Sequence, residues 1–178
     1  MNKPSVARVV STLKADKRYK RLLDTFNTAS LYQIPCESLH EEVKTIHSLR
    51  EIRRLNPREV GFADNIVKAN THDQAQRSRI VEIMMRCTHV SKKLSDAMDA
   101  LRNHFLMEYY DHLKQFRTKE ERMIVMNMAL RKFVKYVDEV DNLKEVCLLV
   151  VGDIDKGGWS LRNSIEVLRI HSAREMQV

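Results

Sequence analysis

Residues 118–151 read TKEERMIVMNMALRKFVKYVDEVDNLKEVCLLVV, and neither glycine nor proline interrupts them. Thr118 is followed three residues later by Glu121, the spacing of a capping box that satisfies unpaired backbone N–H groups at a helix start. Beyond it, apolar residues recur every seven positions with others between them, which predicts one continuous apolar face on a helix. That face comprises Met126, Leu130, Phe133, Val137, Val140, Leu143, Cys147 and Val150.

An earlier segment, residues 80–101, carries a similar apolar face through Ile80, Cys87, Leu94 and Leu101. Two long faces of this kind predict an antiparallel helical hairpin that turns near Arg117. The faces offer more apolar surface than one hairpin can bury, so we also expect this hairpin to hold a homo-oligomer together. The predicted oligomer interface comprises Leu94, Leu101, Met126, Leu130, Phe133, Val137 and Val140.

Composition points to an all-α protein. Only 4 Gly and 3 Pro occur in 178 residues, which excludes a turn-rich β-sandwich and a glycine-looped nucleotide fold. No apolar run reaches the roughly 18 residues of a membrane span, and no apolar leader with a cleavage site is evident, so neither a membrane partner nor export is expected. The odd number of cysteines, Cys36, Cys87 and Cys147, predicts reduced packing residues.

The net charge of +7 is concentrated near the N-terminus, where residues 1–60 hold 12 basic and 7 acidic residues. Most of these basic residues fall on two predicted helices, at about 16–29 and 38–54. Neighbouring basic helices neutralise phosphates, which is typical of nucleic-acid binding. The predicted DNA-binding residues are Lys14, Lys17, Arg18, Lys20, Arg21, Arg50, Arg53, Arg54 and Arg58.

Three observations leave alternatives to this interpretation open. The same charges also fit a solvated helix surface. The connector 30–37 contains Pro35 and is longer than the turn of a helix-turn-helix, so a looser helical DNA-binding region is the expectation, with a capping box of Ser38 and Glu41 opening its second helix. An alternative source of positive charge lies on the long helix, where a ring could use basic residues to line its channel: Arg131, Lys132 and Lys135.

Breaks in the pattern divide the chain into three predicted regions. Residues 1–57 form the basic DNA-binding region, 58–151 the oligomerising hairpin and 152–178 a C-terminal helix. A short helix over 58–68 and a polar stretch at 70–76 lead into the hairpin. Glycines 152, 157 and 158 predict either a turn that folds the last helix back or a bend within one long helix.

No catalytic constellation emerges, so we expect no enzyme activity, cofactor or metal. Glu37 and His40 have the spacing of a di-iron motif but lack its second copy. His104, Glu108 and His112 would share a helix face and could hold a divalent metal, although surface helices commonly carry such residues. A helical metalloenzyme therefore stays a weak third alternative.

Residues 69–176 resemble the helical core of small terminase subunits from tailed bacteriophages. The resemblance rests on the long helices, on Arg117-Thr118-Lys119-Glu120-Glu121-Arg122 and on VGDIDKGGWSL at 151–161. It implies a non-catalytic ring in the cytoplasm of the infected bacterial host. Such a ring binds double-stranded viral DNA and delivers it to the motor and nuclease of the large terminase subunit. The resemblance also implies that the C-terminal helix, residues 152–178, contacts the motor. The alternative is a helical oligomeric adaptor or assembly chaperone that binds another protein.

Overall fold

The computed structural model describes residues 5–29, 32–50 and 62–175, apart from the side chains of residues 62, 63, 164 and 167–175. Every regular element in these ranges is helical, which confirms the predicted all-α class. The helices are α1 (Val6–Ala15), α2 (Lys17–Thr28), α3 (Cys36–Ser48), α4 (Phe62–Glu108), α5 (Tyr110–Leu113), α6 (Lys119–Ala129) and α7 (Arg131–Glu175). Among the described helices, none combines the length and apolar character that a bilayer crossing requires.

The capping box at Thr118 is confirmed. Glu121 N–H donates to Thr118 Oγ1 at 3.0 Å, and Thr118 N–H donates back to Glu121 Oε2 at 3.4 Å. The helix that it opens is shorter than predicted, because α6 ends at Ala129 and α7 begins at Arg131. Leu130, between them, has φ −85° and ψ 5°, while its N–H still donates to Met126 O at 3.0 Å.

The second predicted capping box is wrong. α3 begins at Cys36, so Ser38 lies inside the helix rather than at its cap. The same helix ends at Ser48 instead of reaching residue 54, and Leu49 forms a turn. Residues 51–54 lie outside the described residues.

Both long helices extend further than predicted. α4 runs unbroken from Phe62, so the short helix over 58–68 and the polar stretch 70–76 are not separate from it over the described positions. Its buried side begins at Ile66, Ala69 and Asp73, well before Ile80. α7 continues through the glycines near residue 157 to Glu175, which excludes a turn there.

The chain forms two compact units, residues 1–36 with 86–142 and residues 37–85 with 143–178. The first unit encloses an aromatic core in which Phe133 meets Tyr19 and Phe26 edge to face, at centroid distances of 5.8 and 5.3 Å. This aromatic packing fixes α2 against α7.

The second unit has an aliphatic core that also encloses two charged residues, Arg50 and Asp73. The predicted division at residue 57 lies outside the described residues, so the three sequence regions stay predictions. The core residues of this unit are Leu39, Val43, Ile66, Ala69, Ile80, Ile83, Leu143, Cys147, Val150 and Ile154.

Candidate nucleic-acid interface

Asp16 is the single residue between α1 and α2, and it caps the start of α2. Its Oδ1 accepts hydrogen bonds from the backbone N–H groups of Arg18 at 2.7 Å and Tyr19 at 3.1 Å. Its Oδ2 lies 3.0 Å from His104 Nε2 and accepts from the Tyr109 hydroxyl at 2.9 Å. One carboxylate therefore starts α2 and fastens it to the end of α4.

The environment of Asp16 favours its charged form. Burial by itself raises the pKa of this carboxyl, but hydrogen bonds from His104, Tyr19 N–H, Tyr109 and Arg18 N–H outweigh it and lower the pKa to about 2. The contact between Asp16 and Tyr109 has the opposite effect on the tyrosine, because burial and the hydrogen bond to Asp16 raise the pKa of Tyr109. The turn between α1 and α2 is thus held by an ionised group at neutral pH.

The cap orients α2 so that its apolar side faces the core and its basic side faces solvent. Tyr19 and Phe26 are buried, whereas Asp24 is exposed on the basic side. The five residues of α1 and α2 that were predicted to bind DNA are all exposed, and none forms an ion pair with a described residue. We call this set the α1–α2 basic surface: Lys14, Lys17, Arg18, Lys20 and Arg21.

A groove beside this surface brings Lys14 together with Arg131, the first residue of α7. The sequence had suggested these cations as members of two alternative sources of positive charge. Nearby, Lys132 donates to Asn27 Oδ1 at 2.8 Å and lies 5.2 Å from the Phe26 ring centroid. The groove has a volume of about 730 Å³ and is lined by Val6, Ala7, Val10, Ser11, Lys14, Met128 and Arg131.

Arg50 has a different environment from the other predicted DNA-binding residues. It is only 4% exposed, and its guanidinium binds Asp73 at 3.0 Å and also Asp153. Its Nη2 lies where a side chain at Gly157 would be, because a Cβ added there would be 2.5 Å away. Buried and paired, Arg50 offers no charge to DNA, so we remove it from the predicted set. Arg53, Arg54 and Arg58 lie outside the described residues.

The residues of the predicted oligomer interface lie in the interior of the chain. Six of them are at most 5% exposed: Leu94, Leu101, Met126, Leu130, Phe133 and Val140. Val137 is half-buried and packs against the same core as Phe133. In this conformation the six buried residues have no exposed surface to offer a second copy, so we do not retain this set as the interface.

The metal motif of His104, Glu108 and His112 does not lie on one helix. His104 contacts Asp16, α4 ends at Glu108, and His112 follows in α5. Within the described residues, no group of three or more potential ligands could hold a metal ion. None of the three cysteines forms a disulfide, and burial raises the pKa of Cys147 to about 11, which disfavours its thiolate.

Sequence reasoning missed Asp16, which positions α2, and the residues that surround the buried Arg50: Asp73, Asp153 and Gly157. Asp16 carried a usable signal, since Asp directly before a run of helix formers is a common N-cap. The partners of Arg50 carried none, because Asp73 and Asp153 are 23 and 103 residues away from it in the chain.

The fold and the site together define an all-helical protein with an exposed basic surface beside a partly apolar groove. Comparison of the chain with protein-family models, curated proteins and solved structures finds no match in any of the three. The surface chemistry of the chain is therefore the basis for its function.

Proposed function

We propose that this protein is a non-catalytic DNA-packaging subunit of the small terminase kind. It binds double-stranded viral DNA, forms a homo-oligomeric ring and delivers the DNA to the motor and nuclease of a large terminase subunit. The observation that carries the proposal is the α1–α2 basic surface, whose five cations are exposed and form no ion pair with a described acidic residue.

Such a surface suits a DNA backbone because each phosphate that it neutralises releases a condensed counterion. The logarithm of affinity then falls with the logarithm of salt concentration, by about 0.9 per phosphate contact. A few contacts from one chain give weak binding, but several copies around one duplex multiply them. A ring therefore needs only a modest site on each subunit.

The predicted antiparallel hairpin belongs to the same proposal. Two contacts within the separate units support it. Arg77 of α4 binds Asp155 of α7 at 2.7 Å in one unit, and Arg102 of α4 binds Asn127 of α6 at 3.1 Å in the other. The helices before and after the Thr118 turn are thus joined at two places along α4.

Chemistry is assigned to the partner in this proposal. We expect the isolated chain neither to cleave DNA nor to hydrolyse ATP, because no base, nucleophile and anion site were found together in the sequence. Stimulation of the ATPase of a large terminase subunit fits the proposal, whereas intrinsic ATPase activity that survives rigorous purification would contradict it.

A charge-reversal variant tests the DNA-binding surface. Changing Lys17, Arg18, Lys20 and Arg21 together to Glu should lower affinity for a fluorescein-labelled duplex by at least about 100-fold and flatten the salt dependence. Fluorescence anisotropy over a salt series measures both effects. The matched control reverses four exposed basic residues elsewhere on the same unit and should bind far more tightly than the test variant: Arg86, Lys92, Arg117 and Lys119.

Asp24 provides a converse test, since it is an exposed acid on the basic side of α2. Asp24→Asn removes repulsion of the phosphates and should tighten binding at low salt, with less effect at high salt. Equal affinity of the α2 reversal variant and its control, together with no effect of Asp24→Asn, would place DNA binding elsewhere or nowhere on this chain.

A second candidate function is a helical adaptor or assembly chaperone that binds another protein. It is favoured by large apolar side chains left in solvent, including Met107 at 81%, Leu149 at 74% and Trp159 at 68% exposure. Protein binding through such residues depends little on salt. The salt series above therefore separates the two functions.

A further inference from the structure

The groove between α1 and α6 has an apolar lining and a charged end. Val6 is 38% exposed and Met128 46% exposed, while Lys14 and Arg131 supply the only charges among its lining residues. Ile124, one helical turn before Met128 on α6, is 60% exposed and extends the apolar surface. A partner that fits must offer apolar side chains together with a carboxylate.

The chain itself offers such a surface on α7. Leu148 and Leu149 are 49% and 74% exposed, and Glu145 lies about one turn before them on the same side, exposed and without an ion pair to a described residue. Gly152 follows one turn later, and a Cβ built there would meet nothing within 4 Å. We call residues 145–152 of this side the α7 exposed face.

We propose that the groove of one copy binds the α7 exposed face of a second copy, with Glu145 against Lys14 and Arg131 and the leucines against Val6 and Met128. This inference rests on the proposed oligomer and names its contact surfaces. Charge complementarity identifies the occupant, because the groove lining carries two positive charges and no carboxylate, whereas the face begins with an exposed acid that pairs with no described residue.

Pairing of two grooves with each other is disfavoured, because it would bring the Lys14 and Arg131 side chains of both copies together. A contact between two different surfaces is heterologous, so each copy keeps one groove and one face for further neighbours. Repetition of such a contact closes into a ring when the rotation between copies allows it. The buried apolar residues that the sequence suggested as the interface are not needed.

A charge swap tests the contact on the full chain in the absence of DNA. Arg131→Glu and Glu145→Arg should each weaken self-association at least about 10-fold, because each places like charges together. The double variant restores opposite charges and should recover most of the lost association. Sedimentation velocity over a concentration series gives the dissociation constants, and circular dichroism confirms that each variant is folded.

Cysteine cross-linking tests the head-to-tail arrangement. Copies carrying Met128→Cys mixed with copies carrying Leu149→Cys should form a covalent dimer under mild oxidation, while neither variant alone should do so above the background of the three native cysteines. Cross-linking of either variant with itself would indicate a two-fold contact and overturn the inference.

The remaining outcomes separate this inference from the proposed function. If both charge-reversal variants self-associate as tightly as the unmodified chain and no mixed cross-link forms, the proposed contact is wrong. The DNA-binding ring is not affected by that result. A chain that stays monomeric at all concentrations overturns both the contact and the ring. Binding of the groove to a foreign protein by that monomer would instead support the adaptor function.

Discussion

Asp16 shows how one carboxylate at a helix start can organise a surface. It accepts two backbone N–H groups of α2 and contacts His104 and Tyr109 with its other oxygen. The orientation of the basic residues of α2 therefore depends on an acidic side chain, that of Asp16. Its sequence neighbours identify the cap, whereas His104, 88 residues away, could not be identified from local sequence.

The lowered pKa of Asp16 predicts a pH-dependent contribution to stability. Folding lowers this pKa from 3.8 to about 2, which corresponds to roughly 2 kcal/mol. The contribution is fully present above pH 4 and is lost as pH falls through the folded pKa near 2. Asp16→Asn keeps an oxygen that can cap α2 but removes the charge, so the variant should be about 2 kcal/mol less stable at pH 7.

Urea unfolding from pH 7 down to pH 2 measures the contribution of the Asp16 charge. It equals the difference in free energy of unfolding between the unmodified protein and Asp16→Asn. The difference should shrink as the pH approaches 2, where Asp16 is protonated in the unfolded state and about half protonated in the folded state. A control, Asp111→Asn, removes an exposed carboxylate paired with Lys114 and should change stability much less. A gap between Asp16→Asn and the unmodified protein that stays constant with pH would contradict the assignment.

Gly157 is a second residue whose role depends on a distant partner. Replacing glycine by alanine inside a helix normally stabilises it by about 0.5–1 kcal/mol. At Gly157 the new methyl group would lie 2.5 Å from Arg50 Nη2, in a guanidinium held by Asp73 and Asp153. The guanidinium can move away from this methyl group only by disturbing its contacts with the two carboxylates, so Gly157→Ala should lower stability.

Two other glycines of α7 serve as matched controls. A Cβ at Gly152 or at Gly158 meets nothing within 4 Å, so alanine at either position should gain the helix propensity without a clash. Thermal unfolding should therefore show a higher Tm for these two variants and a lower Tm for Gly157→Ala. A raised Tm for all three variants would mean that Arg50 moves aside without loss.

At the scale of elements, apolar periodicity predicted helix over residues 80–101 of α4 and over α6 and α7 up to residue 151, because the buried residues recur at helical spacing. It could not predict that α7 passes through three glycines, since packing along both long helices outweighs the low helix propensity of Gly. It also could not distinguish burial within the chain from burial between copies. Both give the same apolar face, and only the placement of α1 and α2 decides between them.

Phe133 tests the assignment of the apolar face to the chain's own core. It is completely buried against Tyr19 and Phe26, so Phe133→Ala should lower the free energy of unfolding by about 3–5 kcal/mol. Met107, 81% exposed on α4, is the control. Met107→Ala should change the free energy of unfolding by less than about 0.5 kcal/mol. Urea unfolding gives both values. If Phe133→Ala produced a stable, dissociated monomer instead, the residue would belong to an interface.

At the scale of the whole molecule, sequence predicted the all-α class and the exposed cations of α1 and α2, because both follow from local composition and spacing. It did not predict the burial of Arg50, since arginine in a basic cluster has the same local pattern whether solvated or paired. Ring formation and DNA binding are properties of several chains and a duplex together. They remain proposals, and together they predict an oligomer whose mass increases when a duplex is added.

Native mass spectrometry of the full chain, recorded with and without a short duplex, tests that prediction most directly. We expect a single species whose mass is a multiple of the chain mass and which gains the mass of one duplex when DNA is added. The α2 reversal variant should keep the oligomer and lose the added duplex. A species with the mass of one chain, unchanged by DNA, would contradict both the ring and its function.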